Sequence, residues 1–292
     1  MTDLPIPDAV GIYTFPTDLH AAHQAWMSAL PQDGDVFNLT VPLTGAACRI
    51  RRRRPAGRPV VVIEPHHDDF ALSASGYFLA RPRPLTVITV FTRSSSVHPS
   101  LEATYADVES VSRLREKEAA QALLPLAAER ILLGHKDADP PYWAYDPRRL
   151  EAITSELADV LDRFPDAELI APAAVTRHPD HLLVHEAARH LGCRWFWEDL
   201  AFWSTYALAG CDRNLFQQRT GDTLRPETHD ITDVILDKLT LLHMHGSQMH
   251  PAPKMYRPIR HAFTVAADMP PSGRGQTPGT YAERHYHLGG TP

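Results

Sequence analysis

The chain has 292 residues, 43% hydrophobic and 22% charged, with a formal net charge of -6 when its 17 histidines are neutral. That length can bury a full core in one large domain or two small ones, and the acidic balance leaves no footprint for a nucleic-acid binder. No apolar run approaches the ~20 residues of a membrane span, and Asp3, Asp8 and Asp18 with several prolines stand where a signal peptide would need an apolar core.

Cys48, Cys193 and Cys211 have no metal-type spacing and read as small buried residues of a reduced compartment, so a cytoplasmic location is expected. Residues 1–58 carry no strong motif and read as an N-terminal extension packed on the core, which itself spans residues 59–292. Within the extension, Leu19 to Leu30 predicts a helix capped by Thr17 or Asp18, and Val36 to Leu43 has the alternation of a short strand. The basic run Arg51 to Arg54 reads as a solvated turn rather than a nucleic-acid patch.

The informative stretch begins at Pro59. Val60 to Ile63 has the composition of a strand buried on both faces. It runs directly into Glu64, Pro65, His66, His67, Asp68 and Asp69, and a helix can follow from about Phe70. Hard ligands thus gather where a buried parallel strand meets a helix, the carboxyl edge at which open α/β sheets build their sites. His66 and Asp69 could both reach one divalent metal, with Asp68 beside it as a base. Either aspartate could instead cap the helix. Leu85 to Phe91 is a second buried strand, and Arg93 just beyond it is a candidate substrate contact.

Tyr105 to Ala128 predicts an amphipathic helix, and Ile131 to Leu133 a short strand that ends near Asp137, another substrate-binding candidate. Pro140, Pro141, Tyr142 and Trp143 make an aromatic loop suited to stacking on a sugar ring. After a helix over Leu150 to Phe164, Ala167 to Ala173 reads as another buried strand that ends in His178, Pro179, Asp180 and His181, with His185 one helical turn on. Two clusters of ligand-type residues, both at strand ends, supply what zinc chemistry needs: imidazoles, a carboxylate and room for an open position. Glu198, in the aromatic stretch Trp195 to Trp203, could neutralise an amine or hold a sugar hydroxyl. Asp230 to Met244 predicts the last helix, and the Pro- and Gly-rich tail from Pro251 is expected to wrap the domain.

The segments Pro65-His66-His67-Asp68-Asp69 and His178-Pro179-Asp180-His181 resemble the two motifs of the PIG-L/LmbE-like zinc-dependent N-acetylglucosaminyl deacetylases. Arg115 and Glu118, Leu133-Gly134 with Asp137, Trp197 to Leu200, Lys238 to Gln248 and Tyr281 to Arg284 are similar to further family segments. The resemblance implies an α/β, Rossmann-like three-layer sandwich with a mostly parallel sheet and its metal site at the carboxyl edge. It also implies that His66, Asp69 and His181 bind Zn2+, that Asp68 is the general base, and that His178, oriented by Asp180, stabilises or protonates the reacting centre. His67 stands where the family has Pro or an apolar residue; it and His185 are assigned to the surroundings of the ligands. The expected reaction is removal of an N-acetyl or other N-acyl group from an amino sugar or a natural product containing one. The alternatives are an amidase on a thiol conjugate, or a cyclase or lyase on a non-amide substrate. Fe2+ or another divalent metal suits the same ligands.

Overall fold

Residues 15–32, 34–138, 146–176, 178–200, 221–249, 256–269 and 280–289 are described by a computed structural model of the chain. The first elements are helix α1 (Phe15–Ala29) and an antiparallel hairpin of β1 (Val36–Thr40) and β2 (Ala47–Arg51). In the arginine run that ends this hairpin, Arg51, Arg52 and Arg54 are exposed as expected of a solvated turn, and Arg53 turns inward. Arg51 and Arg52 lie over the rings of Trp26 and Phe37, and Arg53 pairs with buried Asp237 at 2.6 Å. Arg49 donates to the carbonyls of Met27 and Leu30 at 3.1 and 2.8 Å, satisfying oxygens at the end of α1 that the helix itself leaves open.

The central sheet has seven strands among the described residues. They are β3 (Val60–Glu64), β4 (Leu85–Arg93), β5 (Glu129–Lys136), β6 (Glu168–Pro172), β7 (Trp195–Trp197), β8 (Leu224–Asp230) and β9 (Ala282–Leu288). Their order is β5-β4-β3-β6-β7-β9-β8, parallel from β5 to β7 and antiparallel from β7 through β9 to β8. Every residue of β3 is buried. Val60 and Val62 enter one hydrophobic cluster, Val61 and Ile63 the other, so the period of two feeds a core on each face.

Helices cover both faces. The first cluster holds residues of α1, α2 (Asp69–Ser73), α3 (Ser75–Ala80), α4 (Val108–Leu123), α7 (Ile235–Met244), α8 (Gly246–Met249) and α9 (Tyr256–Ala266). The second holds residues of α5 (Pro147–Leu161) and α6 (Pro179–His190). This is the expected three-layer sandwich. From β3 the chain moves outward to β4 and β5 and then returns to place β6 on the other side of β3. The reversal falls between β3 and β6, and a crevice opens at the carboxyl ends of strands where order reverses.

Some elements differ from expectation, for identifiable reasons. The helix anticipated from about Phe70 is broken at Ala74 into α2 and α3. At the break, Lys238 Nζ takes the carbonyls of Ala71 and Leu72, and Glu283 takes the N–H groups of Gly76 and Tyr77. Helix α4 starts at Val108 because Asp107 and Ser110 form a reciprocal capping box. Strand β2 carries an alternating arginine pattern, while β8 and β9 are polar; Glu283, Arg284 and His285 are buried all the same, so hydrophobic periodicity gives none of them away. The tail contributes α9 and β9 to the body of the fold. The aromatic loop around Tyr142 and Trp143 lies outside the described residues. No helix among them is long and apolar enough to cross a membrane.

Candidate metal centre

Both ligand motifs leave adjacent strands at the crevice. His66 and Asp69 follow β3, with Asp69 opening α2; His178 caps α6 and His181 lies in its first turn. Potential ligand atoms of His66, Asp69 and His181 lie within 4.8 Å of one another. Asp69 Oδ2 is 3.0 Å from His66 Nδ1 and 3.3 Å from His181 Nε2. Two donors each ~2.0 Å from one tetrahedral ion stand ~3.3 Å apart, so this spacing fits a zinc-type centre. The His66 backbone N–H also donates to Asp69 Oδ2, at 2.8 Å, which locks the short turn between the two residues.

The electrostatics favour a cation at that point. Burial alone would raise the Asp69 carboxyl, but His181 and His66 overcome it and hold its pKa well below the usual range. Burial would likewise keep the His66 ring neutral, yet hydrogen bonds to Asp180 and Asp69 lift its pKa to about 9. His181 is also raised despite burial, by Asp69 and Asp199. Three carboxylates thus converge on two imidazoles.

His66, His178 and Asp180 form a second close group. Here the Asp180 backbone N–H donates to His178 Nδ1 at 3.3 Å, an N-cap contact. Burial, with His181 and His66 nearby, lowers the His178 pKa to about 3, so the ring is neutral. With Nδ1 accepting, the ring's proton sits on Nε2, which makes that nitrogen a donor rather than a ligand. The first set is therefore the better metal centre.

Asp68 is buried beside it. Arg115 of α4 donates to Asp68 Oδ1 at 2.8 Å and to Ser94 Oγ at 2.8 Å, and stands 3.9 Å from Asp137. Among the described residues Asp68 Oδ2 accepts no hydrogen bond. Asp137 takes a short hydrogen bond from Ser94, and its carboxyl is raised by burial. The register slips between β4 and β5 at Thr89, Phe91 and Arg93 form the irregular strand ends from which Ser94 and Asp137 face Arg115. One turn further along α4, Glu118 accepts from the N–H and Oγ of Ser247 at 2.7 and 2.6 Å; burial raises its pKa to about 7.

The other expected residues divide. Arg93 ends β4 with an exposed side chain, and its carbonyl accepts from the Asp137 N–H. Asp180, expected beside His178, places its carboxylate on His66 Nε2 at 3.1 Å and on the Ala138 N–H at 2.8 Å. His67 points to the other side of the sheet from His66, among Phe70, Ala122, Leu123 and Leu241; burial drives its pKa well down and neither ring nitrogen has a hydrogen-bond partner among the described residues. His185 donates from Nδ1 to the Pro172 carbonyl at 2.7 Å and lies against Phe196, bracing the end of β6 outside both candidate ligand groups. The Glu198 carboxylate meets Arg284 at 3.1 and 3.0 Å, His261 at 2.9 Å and the Tyr286 hydroxyl. Burial opposes its charge, but those partners hold it below the usual carboxylate range. Sequence alone points to Glu198 in this segment and not to its neighbour Asp199, whose Oδ2 is 3.1 Å from His181 Nδ1. The available signal was its position just past β7, the strand beside β6.

Fold and donor set together define the class: a three-layer α/β protein with a candidate two-histidine, one-carboxylate donor set at the switch point of its sheet. Residues 61–191 match the family PIG-L, described as GlcNAc-PI de-N-acetylase. A 2'-N-acetylparomamine deacetylase of Streptomyces fradiae is 34% identical over 217 residues, covering 68% of this chain and 76% of the relative. The chain belongs to the PIG-L family. The antimicrobial A40926 pseudoaglycone deacetylase has the same fold, with a TM-score of 0.60 at 22% identity over 79% of this chain and 96% of that one. So does N,N'-diacetylchitobiose deacetylase from Pyrococcus horikoshii, at 0.52 and 18% identity over 95% and 93%.

Proposed function

We propose that this protein is a divalent-metal-dependent hydrolase that removes an N-acetyl or other N-acyl group from an amino sugar or a natural product containing one. The reading is carried by one juxtaposition: a cation-favouring donor set beside a buried aspartate with an oxygen to spare. The 34% identical deacetylase of an N-acetylated amino sugar supports the substrate class. Residues 59–292 would form the catalytic domain, with 1–58 as an extension packed against it.

His66, Asp69 and His181 would hold the ion, zinc by preference of the donors and iron(II) as the second candidate. When bound, it supplies Lewis acidity toward the acyl oxygen and toward water. The protein's own groups then divide the proton work. Arg115 pins Asp68 through Oδ1, so Oδ2 is the oxygen that accepts the proton of the attacking water. His178, neutral with its proton on Nε2, donates a hydrogen bond to the oxyanion that forms as water adds to the carbonyl. Asp68, now a carboxylic acid, returns the proton to the leaving nitrogen; acetic acid and the amine separate and, at neutral pH, leave as acetate and the protonated amine.

Elemental analysis of the purified protein, with acetate release from a panel of N-acetylated amino sugars before and after chelation, tests the reading. Near-stoichiometric metal and chelator-sensitive acetate release are expected. Bound metal with no acetate release from any member would overturn the deacetylase assignment.

A further inference from the structure

We propose that Asp199 is a positioning residue for the metal centre: seated in the turn 174–176, it holds His181 with Nδ1 protonated, so that Nε2 is the nitrogen offered to the ion. The proposal rests on the metal-dependent reading above.

Three observations carry it. The first is direction. His181 Nδ1 is 3.1 Å from Asp199 Oδ2, while Nε2 faces Asp69 Oδ2 at 3.3 Å; a ring bonded to a carboxylate through one nitrogen presents the other as a ligand. The second is the fixing of Asp199 itself. Val175 N–H donates to Oδ1 at 2.9 Å, and Thr176 N–H and Oγ donate to Oδ2, so the carboxylate cannot swing away from the ring. All of this is dry, with Asp199 fully buried and His181 nearly so.

The third is backbone conformation. Ala174 has φ of +55°, a left-handed geometry that strains a residue with a Cβ. That geometry turns the Val175 and Thr176 N–H groups toward Asp199. Strain is retained where the surrounding structure compels it, and here it builds the seat of one carboxylate. His66 has a counterpart: Nε2 is 3.1 Å from Asp180 Oδ2 and Nδ1 is 3.0 Å from Asp69 Oδ2. Both imidazoles are thus backed by a carboxylate and meet at the same Asp69 oxygen, using opposite nitrogens.

The test loads cobalt(II) into the wild type and into D199N and D199A, measuring affinity by chelator competition and geometry by the visible d–d bands, with thermal melting to check the fold. A 10–100-fold loss of affinity and a shifted band pattern are expected in both variants. A folded D199N or D199A with wild-type affinity and spectrum overturns the proposal. A wild type that takes up no cobalt instead overturns the metal reading, a different result. If neither variant folds, nitrogen-15 histidine NMR of the zinc-loaded wild type decides, with H181Q assigning the signal: His181 protonated on Nδ1 supports the proposal, and protonated on Nε2 overturns it.

Discussion

Lys238→Met removes the cation of a buried pair while roughly keeping the side chain's volume. Lys238 is 1% exposed, and its three donors are all used: on Glu283 Oε1 at 2.6 Å, on the Leu72 carbonyl at 2.8 Å and on the Ala71 carbonyl at 3.1 Å. Glu283 in turn accepts from Gly76 N–H at 2.9 Å and Tyr77 N–H at 2.7 Å. The pair therefore closes the end of α2 and the start of α3, and α2 begins at Asp69. Burial pulls the Lys238 pKa down and outweighs the opposing pull of Glu283, so the ammonium is desolvated. Taking away one partner leaves the other charge buried, which costs ~3–5 kcal/mol. Two carbonyls lose their donor as well, although water can reach them once the helix end loosens. Urea unfolding followed by tryptophan fluorescence should show that loss. The double variant K238M/E283Q should be more stable than the two single effects added together, with a coupling of ~1–3 kcal/mol. A K238M protein less than ~1 kcal/mol below wild type would refute the reasoning, since the charge left behind would then not have been desolvated.

Gly76→Ala should disrupt the same junction, because a Cβ there would lie 2.7 Å from Ile231 Cδ1 and 2.8 Å from Glu283 Oε1. A loss of ~1–3 kcal/mol in the same unfolding assay is expected from overpacking, and wild-type stability would contradict it. Asp68→Ala should keep the metal and lose ~10²–10⁴ in turnover, the usual contribution of general acid–base catalysis; unchanged acetate release with bound metal would remove Asp68 from the mechanism. Below neutral pH the protein should lose stability through His23, which is buried on Thr240 at 2.7 Å and whose pKa is lowered to about 3 by burial and by His243 and His20. The unfolded chain takes up that proton near pH 6.5 and the folded one does not. The contribution is therefore complete above 6.5 and falls by ~1.4 kcal/mol per pH unit on the way to 3. His23→Gln should flatten the acid limb of melting temperature against pH, and an unaltered slope would exclude His23 as a source.

The strands β3, β4 and β6 and the ligand motifs at their ends were legible in the sequence, because a parallel strand buried on both faces is written as a continuous run of apolar residues, and hard ligands that interrupt such runs stand out. The family resemblance rested on the same segments. Local order along the chain carries this information without reference to any distant residue. What the sequence could not state is which partner each polar group meets, since those partners come from elements far apart in the chain. Asp180 turns to His66, 114 residues away, and Asp199 reaches His181 across the boundary between β6 and β7. The polar strand β9, the break between α2 and α3, and the inward turn of Arg53 onto Asp237 have the same origin. A charged residue reads as exposed by composition, and only the tertiary structure supplies the opposite charge or backbone group that lets it be buried.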